Sequence, residues 1–311
     1  MGESVRPQRR NPSVNYKRNK AVTLIELLVS LAIIMMLVAI MVPVLNRGRR
    51  NARAVQTMNN QRQIVVAVTS FASDNDGRYP ESVATIGVLE EHWNWQEPTM
   101  LTSFRVRGSW MHRSMSSYLR SYIEDASIMF CPNAPKKYKY LQEAWDAGDE
   151  WDNPETPAIR DPVIGTYCFY WNYVGFLDEQ KSVFRGPLGP SGEAGQSKLL
   201  VSDYFGYGHW RNKLVYGTSK AYGSCEIFKN AAVTPGTLVS SDFWSYRDDD
   251  GKVNLDTLDI RLHAGYTDGH VERYGPSEVV PMKVSMTSDG SVPYPSEPGP
   301  GVFYLPGNAL Y

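Results

Sequence analysis

The most pronounced pattern of hydrophobic and polar positions is an apolar run near the start of the chain. Between Leu27 and Leu45 only Ser30 is polar, and no residue is charged. As a helix rising about 1.5 Å per residue, this run would be about 28 Å long, close to the hydrocarbon thickness of a bilayer. The pattern therefore predicts one membrane-spanning helix, and Pro43 within it predicts a kink.

Apolar residues continue at helical spacing after this run, which predicts that the helix extends beyond the membrane. They are Val55, Met58, Ile64, Val65, Val68 and Phe71. Polar residues at 74–77 then predict its end. Because the apolar run is longer than that of a usual signal peptide and no small-x-small site follows it, we expect it to be retained. The expectation is one helix from Val22 to about Ser73.

The remainder of the chain has the short alternating runs of an α+β domain. The predicted strand regions are residues 166–173, 198–203, 213–216, 237–241 and 262–274. In the last region, strand residues flank Asp268-Gly269, which predicts a hairpin with a type I′ turn. Long loops are expected at 90–115 and 140–162.

The predicted fold class is α+β: a long N-terminal helix, half membrane-spanning and half amphipathic, packed on a C-terminal antiparallel β-sheet with long loops. Residues 276–311 hold seven of the twenty prolines and are expected to form an extended tail. The expected divisions are a basic leader at 1–21, a transmembrane helix at 22–45, its amphipathic continuation at 46–76, a globular domain at 77–275 and the tail at 276–311.

Charge is distributed unevenly, although the net charge of the 311 residues is −1. Residues 1–21 carry six basic residues and one acidic residue, and the rest of the chain carries 26 basic and 32 acidic residues. The balance argues against a general nucleic-acid binder, which would have a broad basic excess. Basic residues flank the apolar run on both sides, so charge alone orients it weakly. The folded-domain signals all follow the run, and we therefore expect the leader in the cytoplasm and the body outside.

Glu26 is the exception within the apolar helix, where an unpaired carboxylate is unfavourable. Either its side chain reaches the headgroups, or it has a dedicated cationic partner. The segment from Lys20 to Val29, KAVTLIELLV, resembles the prepilin signature of type IV pilins and type II secretion pseudopilins. The family usually has Gly and Phe around the cleavage site, where this chain has Ala21 and Val22.

The resemblance implies that a prepilin peptidase cuts between Ala21 and Val22 at the cytoplasmic face of the membrane. In an assembled filament, Glu26 would pair with the freed, often N-methylated, amine of Val22 from a neighbour. Pro43 lies where many family members have a helix-kinking proline. The implied partners are copies of this chain, other pilin-like subunits, the peptidase and an inner-membrane assembly platform. The implied role is structural rather than enzymatic, in a single-pass inner-membrane protein with a periplasmic body that assembles into a periplasmic or surface filament.

Further segments resemble the large pseudopilin-like proteins of planctomycete-type bacteria. They are residues 60–64, 74–80, 118–122, 130–132, 167–172 and 199–203, together with the Asp268-Gly269-His270 turn. In those proteins a histidine often precedes the Asp-Gly pair by about nine spacer residues. Here only four residues separate His263 from Asp268.

Two groups of residues could bind a metal. His263, Asp268 and His270 form either a metal or acid–base site or an incidental polar hairpin. Asp248, Asp249 and Asp250 resemble half of a calcium loop, but Tyr246 breaks the EF-hand template. Some major pseudopilins bind calcium in a C-terminal acidic loop, so the resemblance leaves calcium open beside a solvated turn; no other cofactor is expected.

Cysteine and tryptophan leave further alternatives. Three cysteines allow at most one intrachain disulfide. Cys131 and Cys168, both in family-like segments, are the expected pair, and the alternative is that all three cysteines are reduced and buried.

The tryptophans at 93, 95, 145, 151, 210 and 244 either pack in the interior or form a glycan- or cargo-binding surface. Two other functions follow from these features: a minor or tip pilin that binds glycan or DNA, and an anchored hydrolase that uses the His263 region.

Overall fold

A single long helix begins the described part of the chain. The computed structural model describes residues 23–85, 98–102, 113–132, 141–151, 163, 165–177, 182–204, 206–207, 262–283 and 302–310. Helix α1 spans Leu24–Asp74, and its bounds confirm the predicted helix to within two residues. Asp76 and Gly77 follow with positive φ angles of 53° and 74°, and the N–H of Gly77 donates to the carbonyl of Ala72 at 2.8 Å. This left-handed pair ends the helix.

The chain divides into two units, residues 1–49 and 50–311. In the first unit, the apolar side chains of α1 are exposed along its whole length. The first of them, Leu24, is 77% exposed and the last, Leu45, is 52% exposed. Helix α1 is the one helix in the described residues that is long and apolar enough to cross a membrane. It continues through Pro43.

In the second unit, one face of α1 is buried in the core. Ile64, Val65, Val68 and Ala72 are at most 2% exposed, whereas Val66 on the opposite face is 63% exposed. This is the 3.6-residue periodicity expected of an amphipathic helix. Two short helices, α2 (Ser116–Leu119) and α3 (Leu141–Ala147), contribute residues to the same hydrophobic cluster.

The strands form two antiparallel sheets, which together with the helix confirm the α+β class. The strands are β1 (Tyr167–Phe169), β2 (Val174–Leu177), β3 (Ser182–Arg185), β4 (Leu199–Asp203), β5 (Gly206–Tyr207), β6 (Leu262–Tyr266), β7 (Val271–Tyr274), β8 (Val279–Lys283) and β9 (Val302–Pro306). The first sheet has the order β1-β4-β6-β7 and the second β3-β2-β8-β9-β5.

The first sheet occupies regions that the alternation predicts. Strands β1, β4, β6 and β7 lie within 166–173, 198–203 and 262–274, whereas the predicted strands at 213–216 and 237–241 lie outside the described residues. In the proline-rich tail, β8 and β9 pair with each other over five residues.

The turn between β6 and β7 corrects one prediction. A type I′ turn needs positive φ at both central residues. In this hairpin Gly269 has a φ of 88°, but Asp268 is not among the described non-glycine residues with positive φ. The N–H of Gly269 donates to the carbonyl of Tyr266, and the N–H of Tyr266 donates to the carbonyl of His270. This is a three-residue loop in which glycine supplies the single left-handed position.

Helix α1 approaches β6 closely at Gly265. A β-carbon at this position would lie 3.1 Å from side-chain carbons of both Val65 and Val201. Glycine therefore allows the helix and the sheet to pack at this distance.

We predict that Gly265→Ala lowers the free energy of unfolding by about 1–3 kcal/mol, because the added methyl group overpacks the helix–sheet contact. The matched control is Gly307→Ala, whose nearest contact would be an ordinary 3.4 Å. We expect the control to be neutral or stabilising, since alanine reduces the entropy of the unfolded chain. Denaturant unfolding measures both variants, and equal stability of the two would contradict the close packing.

Candidate functional site

The start of α1 holds Glu26 in a reciprocal cap. The N–H and the hydroxyl of Thr23 donate to Glu26 Oε2 at 2.8 and 2.9 Å, and the N–H of Glu26 donates to Thr23 Oγ1 at 3.3 Å. This is a capping box, which satisfies N–H groups that the helix itself leaves without partners. Glu26 is the third residue of the helix, near the positive end of the helix dipole. Its carboxylate is therefore hydrogen-bonded within the chain at the edge of the apolar segment.

The structure describes only part of the predicted assembly site. Glu26 and Pro43 lie in α1, at its start and in its apolar half. Ala21 and Val22, which flank the predicted cleavage site, lie outside the described residues.

A second polar site lies on the buried face of α1, around Gln61. The side-chain amide of Gln61 donates to Asp203 Oδ1 and to the main-chain carbonyl of His263, both at 3.1 Å. Because both partners are acceptors, they fix the orientation of the amide and use both of its hydrogens. Gln61 thus connects α1 to two adjacent strands, β4 and β6.

Asp203 is the centre of this site. Its side chain is fully buried, and Oδ2 accepts from the main-chain N–H of His263 at 3.0 Å and lies 2.8 Å from His263 Nδ1. Asp203 follows Ser202, which pairs with Ala264, so Asp203 and His263 face each other across β4 and β6. A buried carboxylate is tolerated only with such donors: the Gln61 amide and the main-chain N–H of His263 supply two, and His263 Nδ1 supplies a third in the tautomer that carries its proton there.

The same helix face binds the segment that follows the short 3₁₀ helix Ala126–Met129. Asn60 Nδ2 donates to the carbonyl of Phe130 at 3.1 Å, and Thr57 Oγ1 lies 3.2 Å from Cys131 Sγ. Tyr167 lies beside this contact, and the pKa of its hydroxyl is raised well above its ordinary value. Burial is the largest cause, and the nearby Cys131 and Asp203 raise it further. The polar residues of one helix face are thus joined to three separate parts of the sequence.

The predicted group of His263, Asp268 and His270 does not come together. His263 is 4% exposed and pairs with Asp203, whereas Asp268 and His270 lie in the exposed hairpin turn and bond to each other. The described residues contain no group of three His, Cys, Asp or Glu side chains that could hold a metal. Of the two alternatives, the described contacts favour the incidental polar hairpin over one site for these three residues. Asp248, Asp249 and Asp250 lie outside the described residues.

In the described residues, no disulfide joins Cys131 to Cys168, the pair expected from the sequence. Cys131 lies against Thr57 of α1, on the side of β1 occupied by the Tyr167 side chain. Cys168 follows Tyr167 in the strand, so its side chain points to the opposite face of the sheet. The sheet thus separates the two thiols.

The described tryptophans belong to the interior. Trp145, Trp151 and Trp171 are 2%, 5% and 1% exposed, and Trp145 donates its indole N–H to the carbonyl of Ile123 at 2.8 Å. These three side chains contribute no binding surface. Tryptophans 93, 95, 210 and 244 lie outside the described residues.

Gln61 and Asp203 were not singled out by sequence reasoning, although their segments were. Two signals in the sequence point to them. Gln61 occupies a position of the buried helix face, one turn before Ile64 and Val65, and Asp203 ends a strand whose other residues are buried. A polar side chain in an apolar pattern indicates a buried hydrogen-bonded partner.

We predict that Gln61→Ala lowers the free energy of unfolding by about 2–4 kcal/mol, since it leaves a buried carboxylate oxygen and a buried carbonyl without this donor. Gln63→Ala is the matched control, because Gln63 is exposed two residues along the same helix. We expect the control to change stability by about 0.5 kcal/mol or less. Equal effects in thermal or denaturant unfolding would show that Gln61 does not stabilise the helix–sheet contact.

Comparison with known proteins identifies the N-terminal site. Residues 16–42 match a family model described as the prokaryotic N-terminal methylation motif. The match includes Glu26 and much of the apolar half of α1. No curated protein and no solved structure matches the chain. The chain therefore carries a prepilin-type cleavage and methylation segment at residues 16–42, and this supports a membrane-anchored protein of the general type IV pilin or pseudopilin kind.

Proposed function

We propose that this protein is a prepilin-like subunit that is cut between Ala21 and Val22 and assembled through α1 into a filament. The observation that carries the proposal is the methylation motif at residues 16–42, which leads into a long apolar helix with Glu26 in its first turn. The subunit crosses the inner membrane once, with its N-terminus in the cytoplasm and its body in the periplasm. The filament is periplasmic or on the cell surface, and it serves type II-like secretion or adhesion.

The position of Glu26 supports a role in assembly. Thr23 donates two hydrogen bonds to the carboxylate, but hydrogen bonds from neutral groups do not remove its charge. Cleavage would create a cationic amine at Val22, four residues before Glu26 in the chain. An ion pair between this amine and Glu26 of a neighbour would neutralise both charges and fix the axial register of the subunits.

The buried face of α1 supports the transmission of force. Five residues of the helix between Ile64 and Ala72 belong to the hydrophobic core, and Gln61 is bonded to both β4 and β6. A helix attached in this way cannot slide along the sheet without exposing a buried carboxylate. Filament growth that displaces the helix would therefore carry the sheet with it, as a mechanical or adhesive role requires.

The two alternative functions lack this support. A tip pilin that binds glycan or DNA through aromatic loops would present exposed aromatic side chains, but the described tryptophans are buried. A hydrolase at His263 would need a second histidine nearby, and the one other histidine in the described residues, His270, pairs with Asp268 in the exposed turn. We therefore propose a structural subunit, with the peptidase and an inner-membrane assembly platform as its partners.

Cleavage is tested by intact-mass measurement and N-terminal sequencing of the full chain co-expressed with a prepilin peptidase. We expect a mature chain that begins at Val22, with or without one methyl group. Ala21→Gly keeps a small residue before the cut and should be processed, whereas the bulky side chain of Ala21→Leu should block processing. A wild-type chain that still begins at Met1 in the presence of an active peptidase would overturn the proposal.

We predict that Glu26→Gln is inserted and cut but enters filaments at least about tenfold less than the wild type, equivalent to about 1.4 kcal/mol per contact. The amide keeps the shape of the side chain and loses the charge that the amine would neutralise. Glu143→Gln, a change of an exposed carboxylate in α3, is the matched control and should assemble normally. Quantification of subunits in the sheared filament fraction distinguishes the variants, and normal assembly of Glu26→Gln would exclude the ion pair.

A further inference from the structure

Exposed arginines follow directly after the apolar half of α1. Arg47, Arg49 and Arg53 are exposed side chains of the helix, and we call these three residues the arginine collar. They come two to eight residues after Leu45, the last residue of the apolar run. The collar therefore begins where the predicted membrane span ends.

The collar has no acidic partner in the described part of the chain. The described ion pairs involve Arg113, His263 and His270. Within α1 the acidic residues are Glu26 and Asp74, each 21 residues from the nearest collar arginine. At about 1.5 Å per residue these separations are about 30 Å. Such distances exceed the Debye length of about 8 Å at physiological ionic strength, so these carboxylates do not balance the collar.

The depth of the collar matches the phosphate layer of a bilayer. Along the helix axis the collar lies about 3 to 12 Å beyond Leu45. Headgroup regions extend about 5–8 Å beyond each side of the hydrocarbon core, and arginine side chains are long enough to reach back into them. The planar guanidinium group binds phosphate oxygens in a bidentate manner, and it is charged at every physiological pH.

The charge pattern changes when the leader is removed. Residues 1–21 carry six basic residues and one acidic residue, whereas residues 22–46 contain no Lys or Arg. Arginines on the outer side of a span oppose the usual cytoplasmic bias of basic residues. After cleavage, the basic residues that flank the span are those of residues 47–53. A cluster that opposes insertion and has no acidic partner points to an anionic ligand at this depth.

We propose that the arginine collar binds the phosphate groups of anionic phospholipids in the leaflet on the body side of the membrane. The inference rests on the membrane placement of the proposed function and does not depend on cleavage or assembly. The bound lipids hold the mature subunit at a fixed depth, and they have to be released when the subunit leaves the membrane for a filament.

The test uses the full chain reconstituted in phosphatidylcholine vesicles, with spin-labelled phosphatidylglycerol and spin-labelled phosphatidylcholine as probes. Electron spin resonance measures the fraction of each label immobilised at the protein. The collar variant carries Arg47→Gln, Arg49→Gln and Arg53→Gln. The matched control carries Arg62→Gln, Arg78→Gln and Arg185→Gln, which removes the same charge from exposed arginines away from the span. Glutamine and arginine have similar helix propensities, so we expect α1 to persist.

We expect wild-type protein and the control to prefer phosphatidylglycerol by about fivefold or more, because each interfacial arginine contributes about 1 kcal/mol. The preference should be at least about twofold lower in the collar variant than in the control, because the basic residues of the leader are present in both, and in the wild type it should weaken with added salt. An equal loss in the control, or no preference in the wild type, would overturn the proposal. Collar-dependent retardation of DNA without a lipid preference would also overturn it and would identify a nucleic-acid surface instead.

Alkaline carbonate extraction separates this test from the proposed function. A chain that resists extraction but shows no lipid preference contradicts the collar proposal alone. A chain that is extracted does not span the bilayer, and it contradicts the membrane placement on which both proposals depend.

Discussion

A carboxylate removed from water must be given hydrogen-bond donors, and this constraint applies at the start of the long helix and on its buried face. At its start, Thr23 supplies two donors to Glu26. In the body, the Gln61 amide and the main-chain N–H of His263 donate to Asp203, and His263 Nδ1 lies beside it. The two sites differ in their environment, because the first adjoins the apolar, exposed part of the helix and the second is enclosed by the core.

The buried carboxylate determines how helix and sheet fit together. Gly265 allows the close approach, Val65 and Val201 fill the contact, and the Gln61 amide fixes the position along the helix axis. Apolar packing alone is non-directional, so it would allow the helix to slide along the sheet. The Gln61 amide opposes this movement, because its two hydrogen bonds require fixed distances and angles to their acceptors. A filament subunit requires such an attachment, because its body must move with the helix that holds it in the filament.

The helix was predictable from sequence because its signals are local and long. The apolar run, the amphipathic spacing and the polar turn at 74–77 each constrain neighbouring residues, and together they gave both ends to within two residues. The cap of Glu26 was not predicted, although Thr23 and Glu26 have the Thr-x-x-Glu spacing of a capping box. The buried site around Asp203 was not predicted either. Asp203 lies 142 residues after Gln61 and 60 residues before His263, so no local pattern in the sequence connects the three. The expected pairing of Cys131 with Cys168 is not seen because Cys168 and Tyr167 are neighbours in β1 and point to opposite faces of the sheet. The number and spacing of cysteines in the sequence do not show which face each thiol occupies.

The central claim is that Glu26 and the amine of a neighbouring Val22 meet in the assembled filament. It is tested most directly by zero-length carbodiimide cross-linking of filaments grown from a mixture of isotopically light and heavy subunits. The account predicts an amide between the N-terminal amine and Glu26 that joins light to heavy peptides, as neighbouring copies require. Cross-links that join only peptides of the same isotopic composition, or an N-terminal amine that couples elsewhere, would contradict it.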